Sequence, residues 1–418
     1  MKKNYFHAIK INSNLCDGCT KCIKSCPTKA LRVRNGKAEI DENRCIDCGK
    51  CVLECPKDAI ETFADNLSVI NDFKYKVAVI PASFSGQFNE AVNYRRAKKA
   101  VLSLGFDEIA DESMVTDIMG NFIQDYIRNH ENIRPIISSN CPAVVRLIQV
   151  RFTDLLPNIL HLESPMSIIA TYVREKISHE KKINKKDIGV FPIVPCIAQV
   201  TAVHQPEGTY QHLHDGAISI REIYRKVMDI YEEVENYDDI CSFPDGLKWA
   251  IAGLKAEYIA EKDIDVLSVS GIDNVIDILA KIENGQIEKY DFVVMDSCTE
   301  GCIGGILNIE NPFIAEARLK KIMRNSKHKN KFFNDKYFTK LYKDNFYNVN
   351  PLQPRSIMKL DKDIKSSILK MREIRKIKDL LPGYDCGACG APTCCDLAED
   401  IVEGKASLDD CLILKDKK

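Results

Sequence analysis

The chain has 418 residues and a net charge of -1, and 45% of its residues are hydrophobic. A nearly neutral chain lacks the basic excess that favours nucleic acid or anionic membranes, and no apolar run approaches the roughly 18 residues that a membrane span needs. No apolar segment follows the N-terminal lysines, so we expect no secretory signal and a cytosolic location. In a reducing compartment, 18 cysteines in short spacings indicate metal or redox chemistry rather than disulfides.

Two near-repeats open the chain, and each has the spacing C-x2-C-x2-C-x3-C-P. This is the spacing of two-cluster bacterial ferredoxins, in which the fourth cysteine of each run binds the other cluster. We therefore predict an α+β ferredoxin-like domain over residues 1–70 with two 4Fe–4S clusters. The ligands are Cys16, Cys19, Cys22 and Cys55 for the first cluster, and Cys45, Cys48, Cys51 and Cys26 for the second. Two zinc sites of four cysteines each are the alternative, which the doubled order disfavours.

Residues 75–320 alternate short, β-branched apolar runs with amphipathic helical stretches. This alternation predicts an α/β core with a mostly parallel sheet. The strand candidates 135–138, 188–194 and 292–295 each lead to a cysteine, namely Cys141, Cys196 and Cys298. Functional loops of open α/β sheets lie at the carboxyl ends of the strands. The three cysteines are therefore expected to share one site.

The C-terminal segment, residues 378–418, has four cysteines in the spacing C-x2-C-x4-C-x16-C. They are Cys386, Cys389, Cys394 and Cys411. The segment resembles the small 4Fe–4S domains of redox partner and corrinoid-enzyme proteins, so we predict a small helical domain with a further cluster. Cys395 is an alternative to Cys394, although the spacing favours Cys394, and zinc is an alternative to the cluster. Residues 321–377 are predicted to be a helical linker or packing segment.

Three motifs of the middle region resemble the cluster-binding motifs of the iron-only (FeFe) hydrogenases. They read Ser138-Ser-Asn-Cys-Pro142, Val194-Pro-Cys-Ile-Ala198 and Ser297-Cys-Thr-Glu-Gly-Cys-Ile-Gly-Gly305. With the flanking clusters, the layout resembles the divergent group D of that family, to which a sensory role is ascribed. The resemblance implies two lobes of mostly parallel sheet and an H-cluster, which is a cubane joined to a diiron unit with cyanide, carbonyl and a bridging amine. It further implies that the cubane ligands are Cys141, Cys196, Cys298 and Cys302, with Cys302 as the bridge to the diiron unit.

The chain departs from the family at four positions of these motifs. Asn140 replaces a cysteine that relays protons, and an amide does not titrate near neutral pH. Gln199 replaces a lysine that donates to a cyanide, and a neutral hydrogen bond is about half as strong as a charge-assisted one. Asp296 and Glu300 add negative charge near an anionic cofactor, which is unfavourable unless they are protonated or point away. These changes leave the presence of the diiron unit open.

Two functions follow from this sequence. The first is a slow hydrogenase-like oxidoreductase or hydrogen sensor, with electrons relayed through the 4Fe–4S clusters to a ferredoxin-like or oxidoreductase partner. The second is a hydrogenase-derived electron carrier that lacks the diiron unit and holds a plain 4Fe–4S or other Fe–S centre. A module that signals through its cluster state ranks third. No nucleic-acid partner is expected, and the oligomeric state is left open between monomer and homodimer.

Three other features are assigned no functional role. Cys241 has no partner in spacing and is interpreted as a structural thiol. His212 and His214 lie two apart beside Asp215, but no other residue supports a metal site there. Trp249 is interpreted as a core or domain-contact residue.

Overall fold

The computed structural model describes residues 5–208, 213–235, 243–325, 335–344, 347–355 and 364–415. Cys241 and His212 lie outside these ranges, as does part of the predicted linker segment 321–377. The chain divides into two compact units. The cluster unit comprises Met1–Phe63 and Pro354–Lys418, and the core unit comprises Ala64–Gln353.

Short strands and helices alternate along most of the described chain. The strands are β1 (Ile9–Ile11), β2 (Leu31–Arg34), β3 (Lys37–Ile40), β4 (Ile60–Thr62), β5 (Tyr75–Ile80), β6 (Glu108–Asp111), β7 (Ile136–Ile137), β8 (Ile188–Val194), β9 (Ile218–Ser219), β10 (Val266–Ser270) and β11 (Phe292–Asp296). The helices are α1 (Lys21–Ser25), α2 (Lys50–Leu53), α3 (Tyr94–Leu102), α4 (Ser113–Asn129), α5 (Pro142–Arg151), α6 (Pro165–Lys181), α7 (Ile197–His204), α8 (Ile220–Ile230), α9 (Ala252–Ile259), α10 (Ile272–Glu283), α11 (Pro312–Asn325), α12 (Asp335–Lys343), α13 (Ile364–Leu380), α14 (Cys394–Val402) and α15 (Leu412–Lys415). None of the helices in the described ranges is long and apolar enough to cross a bilayer.

The N-terminal part of the cluster unit repeats one structural pattern twice. Strands β1 and β4 pair antiparallel with Ile9 opposite Thr62, and β2 and β3 pair antiparallel with Leu31 opposite Ile40. A short helix follows the first cysteines of each run, and its entry residue is in the left-handed conformation (Thr20 at φ 65°, Gly49 at φ 79°). This part has the α+β organisation that the doubled cysteine pattern predicts.

The C-terminal part of the same unit is helical and packs on the N-terminal part. Its small core contains Leu381, Ala391, Leu397 and Ala398. Asp400 of α14 accepts hydrogen bonds from Arg32 Nε at 2.7 Å and from Arg34. The backbone N–H of Val33 donates to Gly390 O at 2.8 Å. These contacts join the first and last cysteine-rich segments into one compact unit, although the core unit separates them in the sequence.

The core unit contains two parallel sheets. One has the strand order β6-β5-β8-β9 and the other has the order β10-β11-β7, and every pairing in both is parallel. Helices surround them, and the largest buried apolar cluster lies between the sheets and helices α4 and α6. The α/β class and the two lobes of parallel sheet are therefore confirmed. Sequence candidates at 77–81, 135–138, 188–194, 266–270 and 292–295 correspond to β5, β7, β8, β10 and β11, whereas β6 and the two-residue β9 were missed.

Candidate functional site

The core-unit cysteines lie where strands end. Cys141 follows β7 and is the N-cap of α5, whose first residue is Pro142, as that proline predicts. Cys196 follows β8 and is the N-cap of α7. Cys298 lies two residues beyond the end of β11. Helix N-termini carry partial positive charge and favour the thiolate form of a cysteine.

Hydrogen bonds and close packing bring the three cysteine loops together. Cys141 Sγ lies 3.4 Å from Ser297 Oγ, which joins the first motif to the third. Leu307 N donates to Pro195 O at 2.9 Å, which joins the third motif to the second. A Cβ on Gly305 would lie 2.4 Å from that same Pro195 oxygen, so only glycine permits this approach. The expectation that distant strands deliver their cysteines to one place agrees with this geometry.

Cys298 and Cys302 are four residues apart, yet the segment between them is a tight loop and not a turn of α-helix. Glu300 and Gly301 both have positive φ, 61° and 87°, so the backbone makes a tight turn and no helix joins the two cysteines. Cys302 then begins a 3-10 helix that ends at Gly304. A Cβ on Gly304 would lie 2.0 Å from Thr299 O, so the turn closes on itself. The spacing of four residues therefore reflects a compact loop.

The four core-unit thiols influence one another electrostatically. Burial raises the pKa of Cys196 to about 12, and a charge on Cys141 would raise it further. Burial likewise holds the pKa of Cys298 well above its usual range, with Cys196, Cys141 and Cys302 acting in the same direction. Neighbouring buried thiolates repel one another unless a cation neutralises them, and metal binding deprotonates thiols outright. This donor set suits an iron–sulfur cluster.

A cavity of about 100 Å³ adjoins these motifs, and the side chains of Asn140 and Gln199 both line it. Asn140 precedes Cys141, and Gln199 lies in the first turn of α7. Other lining residues are Glu112, Arg146 and His214. Burial raises the pKa of Glu112 to about 7, and burial lowers the pKa of His214 to about 4. The cavity wall therefore includes an acid that can hold a proton near neutral pH.

Two residues at the site carry roles that the sequence did not indicate. Trp249 Nε1 donates to Asn140 Oδ1 at 3.1 Å, so this indole orients the Asn140 amide. Lys255 Nζ lies 3.0 Å from both carboxylate oxygens of Asp296. The negative charge that Asp296 adds near the site is therefore balanced by the buried ammonium of Lys255. The sequence signal for Lys255 is weak, since it is one lysine on a helix face otherwise formed by Ala252, Ala256 and Ile259.

The cluster unit groups its first eight cysteines into two cavities. One cavity is lined by Cys16, Cys19, Cys22 and Cys55, and the other by Cys26, Cys45, Cys48 and Cys51. Burial raises the pKa of Cys22 to about 11, with Cys16, Cys19 and Cys55 adding to the effect. These groups are the interleaved sets that the ferredoxin spacing predicts.

Backbone amides point at the sulfurs of this unit. Ala30 N lies 3.2 Å from Cys26 Sγ, Ala59 N lies 3.3 Å from Cys55 Sγ, and Ala38 N lies 3.4 Å from Cys16 Sγ. Hydrogen bonds to cluster sulfurs stabilise their negative charge and tune the reduction potential. Both cavities therefore have the donor set and the amide environment of an iron–sulfur site.

The C-terminal cysteines also approach one another. Burial raises the pKa of Cys389, and the charges of Cys386 and Cys411 act in the same direction. Cys394 packs against the same small core as Cys389. After burial, the main groups that raise the pKa of Cys395 are the carboxylates of Glu399 and Asp396, not another cysteine. This arrangement favours Cys394 over Cys395 as the third ligand.

Three parts of the chain match known protein families. Residues 74–245 and 246–306, more than half of the chain, match the family described as iron only hydrogenase large subunit, C-terminal domain. Residues 8–56 match a 4Fe-4S dicluster domain, and residues 381–413 match a putative Fe-S cluster domain. These matches, with the cysteine geometry, show that the chain carries 4Fe–4S clusters.

Individual proteins are similar at low identity. The chain is 26% identical over 268 residues to the periplasmic Fe hydrogenase large subunit of Nitratidesulfovibrio vulgaris, and 21% identical over 251 residues to iron hydrogenase 1 of Clostridium pasteurianum. The alignments span 59% and 49% of this chain, but only 62% and 44% of those relatives. Two variants of the FeFe-hydrogenase HydA1 from Chlamydomonas reinhardtii share the fold, with TM-scores of 0.54 and 0.55, identities of 15% and 14%, and coverage of 70% of this chain and 98% of theirs. The chain belongs to the iron-only hydrogenase family.

Proposed function

We propose that this chain is a hydrogen-responsive redox protein that converts or senses hydrogen slowly and relays electrons through its 4Fe–4S clusters. One observation carries the proposal: three loops bring Cys141, Cys196, Cys298 and Cys302 together beside a cavity that Asn140 and Gln199 line. In this proposal the four cysteines bind the inner cubane, and Cys302 bridges to a diiron unit. The resemblance to the sensory group D supports a slow or signalling role.

When bound, the diiron unit supplies the metal chemistry of dihydrogen, and the protein supplies orientation and protons. Asn140 cannot carry a proton, and the indole of Trp249 fixes its amide. Glu112 lines the same cavity and can hold a proton at neutral pH, because burial raises its pKa to about 7. Gln199 offers a neutral donor. In this proposal the titratable group is Glu112 and not the residue at position 140, and this difference from the family accords with slow turnover.

The cluster unit would exchange electrons with a redox partner, either a ferredoxin-like protein or an oxidoreductase. Its interleaved cysteine cavities and the packed C-terminal part support up to three clusters in one compact unit. With the inner cubane, four clusters of four iron atoms give about 16 iron atoms per chain, and the diiron unit raises this to about 18. Iron content therefore tests the proposal together with spectroscopy.

The decisive experiment is an infrared spectrum of the full chain, produced anaerobically together with diiron maturation enzymes. We expect carbonyl and cyanide bands in the unaltered protein, and we expect Cys302→Ala to abolish them while the clusters of the cluster unit keep their electron paramagnetic resonance signals. Bands that persist in Cys302→Ala would show that the bridging assignment is wrong. Slow dye reduction under hydrogen by the unaltered protein would distinguish turnover from sensing alone.

A second candidate is an electron carrier without the diiron unit. It is favoured by the two neutral side chains, Asn140 and Gln199, that line the cavity where a proton relay and a cyanide donor are expected. In that case the four core-unit cysteines hold a plain 4Fe–4S or other Fe–S centre. The same preparation would then give iron near 16 per chain and no carbonyl or cyanide bands, by the count of about four iron atoms per cluster.

A further inference from the structure

The core-unit cysteine site contains a buried lysine that neither the family motifs nor the sequence pattern indicates. We propose that Lys255, held by Asp296, is the fixed positive charge of this site and sets the reduction potential of the cluster bound there. This inference rests on the proposed binding of an iron–sulfur cluster by Cys141, Cys196, Cys298 and Cys302. It concerns a positioning and electrostatic role, and no proton leaves Lys255.

The structure fixes Lys255 from several sides. Lys255 is 1% exposed, and its Nζ lies 3.0 Å from each carboxylate oxygen of Asp296, the last residue of β11. The N-terminus of its helix is tied to the third cysteine motif, because Ala252 N donates to Glu300 O at 3.3 Å. The Nζ also lies 5.6 Å from the ring centroid of Trp249. A cation–π contact of this kind is favourable when water is excluded.

The same network reaches the first cysteine motif. Trp249, which contacts Lys255 with its ring face, donates from Nε1 to Asn140 at 3.1 Å. Asn140 directly precedes Cys141, and a second small cavity is lined by Asn140, Trp249 and Lys255 together. Lys255 therefore contacts a network that joins the first and third motifs, and in the proposed function the sulfurs of these motifs bind one cluster.

The charge on Lys255 is maintained in this buried place and acts on the thiols. Burial alone would lower the pKa of Lys255, but Asp296, Cys302 and Cys141 together raise it above its usual value. Asp296 thus holds the ammonium in place, and it is only one of several negative groups that keep Lys255 charged.

A buried ammonium near a cluster has a definite electrical consequence. Reduction adds an electron to an already negative centre, so a nearby fixed cation favours the reduced state and a nearby carboxylate disfavours it. Gln199, the neutral residue at the cavity, cannot supply such a charge. Removing Lys255 and removing Asp296 should therefore shift the reduction potential in opposite directions. A purely structural role of the pair predicts no such difference in sign.

The test is a redox titration of the site cluster in the full-length holoprotein, followed by electron paramagnetic resonance. Lys255→Met should shift the midpoint potential to more negative values and lower the ratio of reduced to oxidised cluster at a fixed potential by about tenfold or more, as expected for loss of one buried charge at the site. Asp296→Asn should shift it to more positive values. Lys255→Arg should restore a potential close to that of the unaltered protein.

Two further variants separate charge from folding. Removing one partner of a buried ion pair is strongly destabilising, whereas replacing both is often tolerated. If Lys255→Met does not retain the cluster, Asp296→Asn and Lys255→Met/Asp296→Asn carry the test, and the double variant should have a potential between those of the single variants. Lys98→Met is the matched control, because Lys98 and Asp111 form another buried lysine–aspartate pair and Lys98 is not among the main charges acting on Cys196, Cys298 or Cys302.

The possible outcomes separate failure of the electrostatic role of Lys255 from failure of the proposed function. Shifts of the same sign in Lys255→Met and Asp296→Asn, or shifts no larger than that of Lys98→Met, would overturn the electrostatic role. Absence of any cluster signal from the core unit in the unaltered protein, with the clusters of the cluster unit intact, would instead overturn the proposed function.

Discussion

Glu112 is a buried acid whose pKa is raised to near neutral pH. Replacing it by glutamine should change how the free energy of unfolding depends on pH. Burial raises the pKa of Glu112 from 4.5 to about 7, Asp111 adds to the rise, and the Ala82 N–H at 3.3 Å and Lys255 oppose it. A pKa difference of one corresponds to about 1.4 kcal/mol, so ionising Glu112 in the folded protein costs up to about 3 kcal/mol more than in the unfolded chain.

The sign follows from proton binding. Between pH 4.5 and about 7 the folded protein binds the Glu112 proton and the unfolded chain does not, so the free energy of unfolding falls as pH rises and levels off above about 7. Between about pH 5.5 and about pH 7 this fall amounts to about 2 kcal/mol. Glu112→Gln should lack it, because an amide does not titrate there and its Oε1 can still accept from Ala82 N.

The assay uses the single tryptophan of the chain, Trp249, whose indole contacts Asn140 at the site. Denaturant unfolding followed by Trp249 fluorescence gives an unfolding midpoint at each pH under anaerobic conditions. The difference in the free energy of unfolding between the two proteins is the measured quantity, since titrating groups that do not interact with Glu112 contribute equally to both. A difference that stays constant across this pH range would refute a raised pKa at Glu112.

Two further predictions concern the C-terminal part and the cavity. Gly390→Ala should loosen the C-terminal part, giving faster protease cleavage and lost iron, because a Cβ there would lie 1.9 Å from Val33 O. Gly404→Ala is the control: Gly404 has a similar positive φ, 72° against 81°, but open space, so only backbone strain of about 1–2 kcal/mol is expected. His214, whose pKa burial lowers to about 4, costs the folded protein stability as pH falls below 6.5. His214→Gln should therefore lose less stability between about pH 6.5 and about pH 5 than the unaltered protein, and equal losses would contradict this.

Cysteine spacing made most of the cluster chemistry predictable. A cluster loop needs several thiolates within a few residues, so the ligand chemistry is local and visible in the sequence. The interleaving of Cys26 and Cys55 between two sites was predictable for the same reason, because it follows from the known spacing. The approach of Cys141 and Cys298 required one more step, because β7 and β11 are paired parallel strands whose carboxyl ends lie at one sheet edge. Cys196 follows β8 of the other sheet, so its approach to them depends on how the two sheets pack.

The remaining features depend on tertiary contacts between residues that no spacing connects. Lys255 and Asp296 are 41 residues apart and pair only because α9 packs beside β11. Trp249 reads in the sequence as an ordinary core residue, yet its indole N–H is directed at Asn140. The ion pairs that join Arg32 and Asp400 are equally invisible, since each residue alone resembles a solvated surface charge.

The charges around the core-unit site also imply that electrons and protons are coupled there. Lys255 lowers the pKa of Glu112 and acts on Cys302, so one ammonium influences both the acid and the cluster site. An electron added to the cluster would partly offset the field of Lys255 and raise the pKa of Glu112, and by reciprocity a proton on Glu112 must favour reduction. Under the proposed function, the protein would therefore take up a proton with an electron through Glu112, although the Asn140 amide cannot carry one. Under the proposed function, such coupling would suit a protein that registers hydrogen by its redox state more than one that turns hydrogen over rapidly.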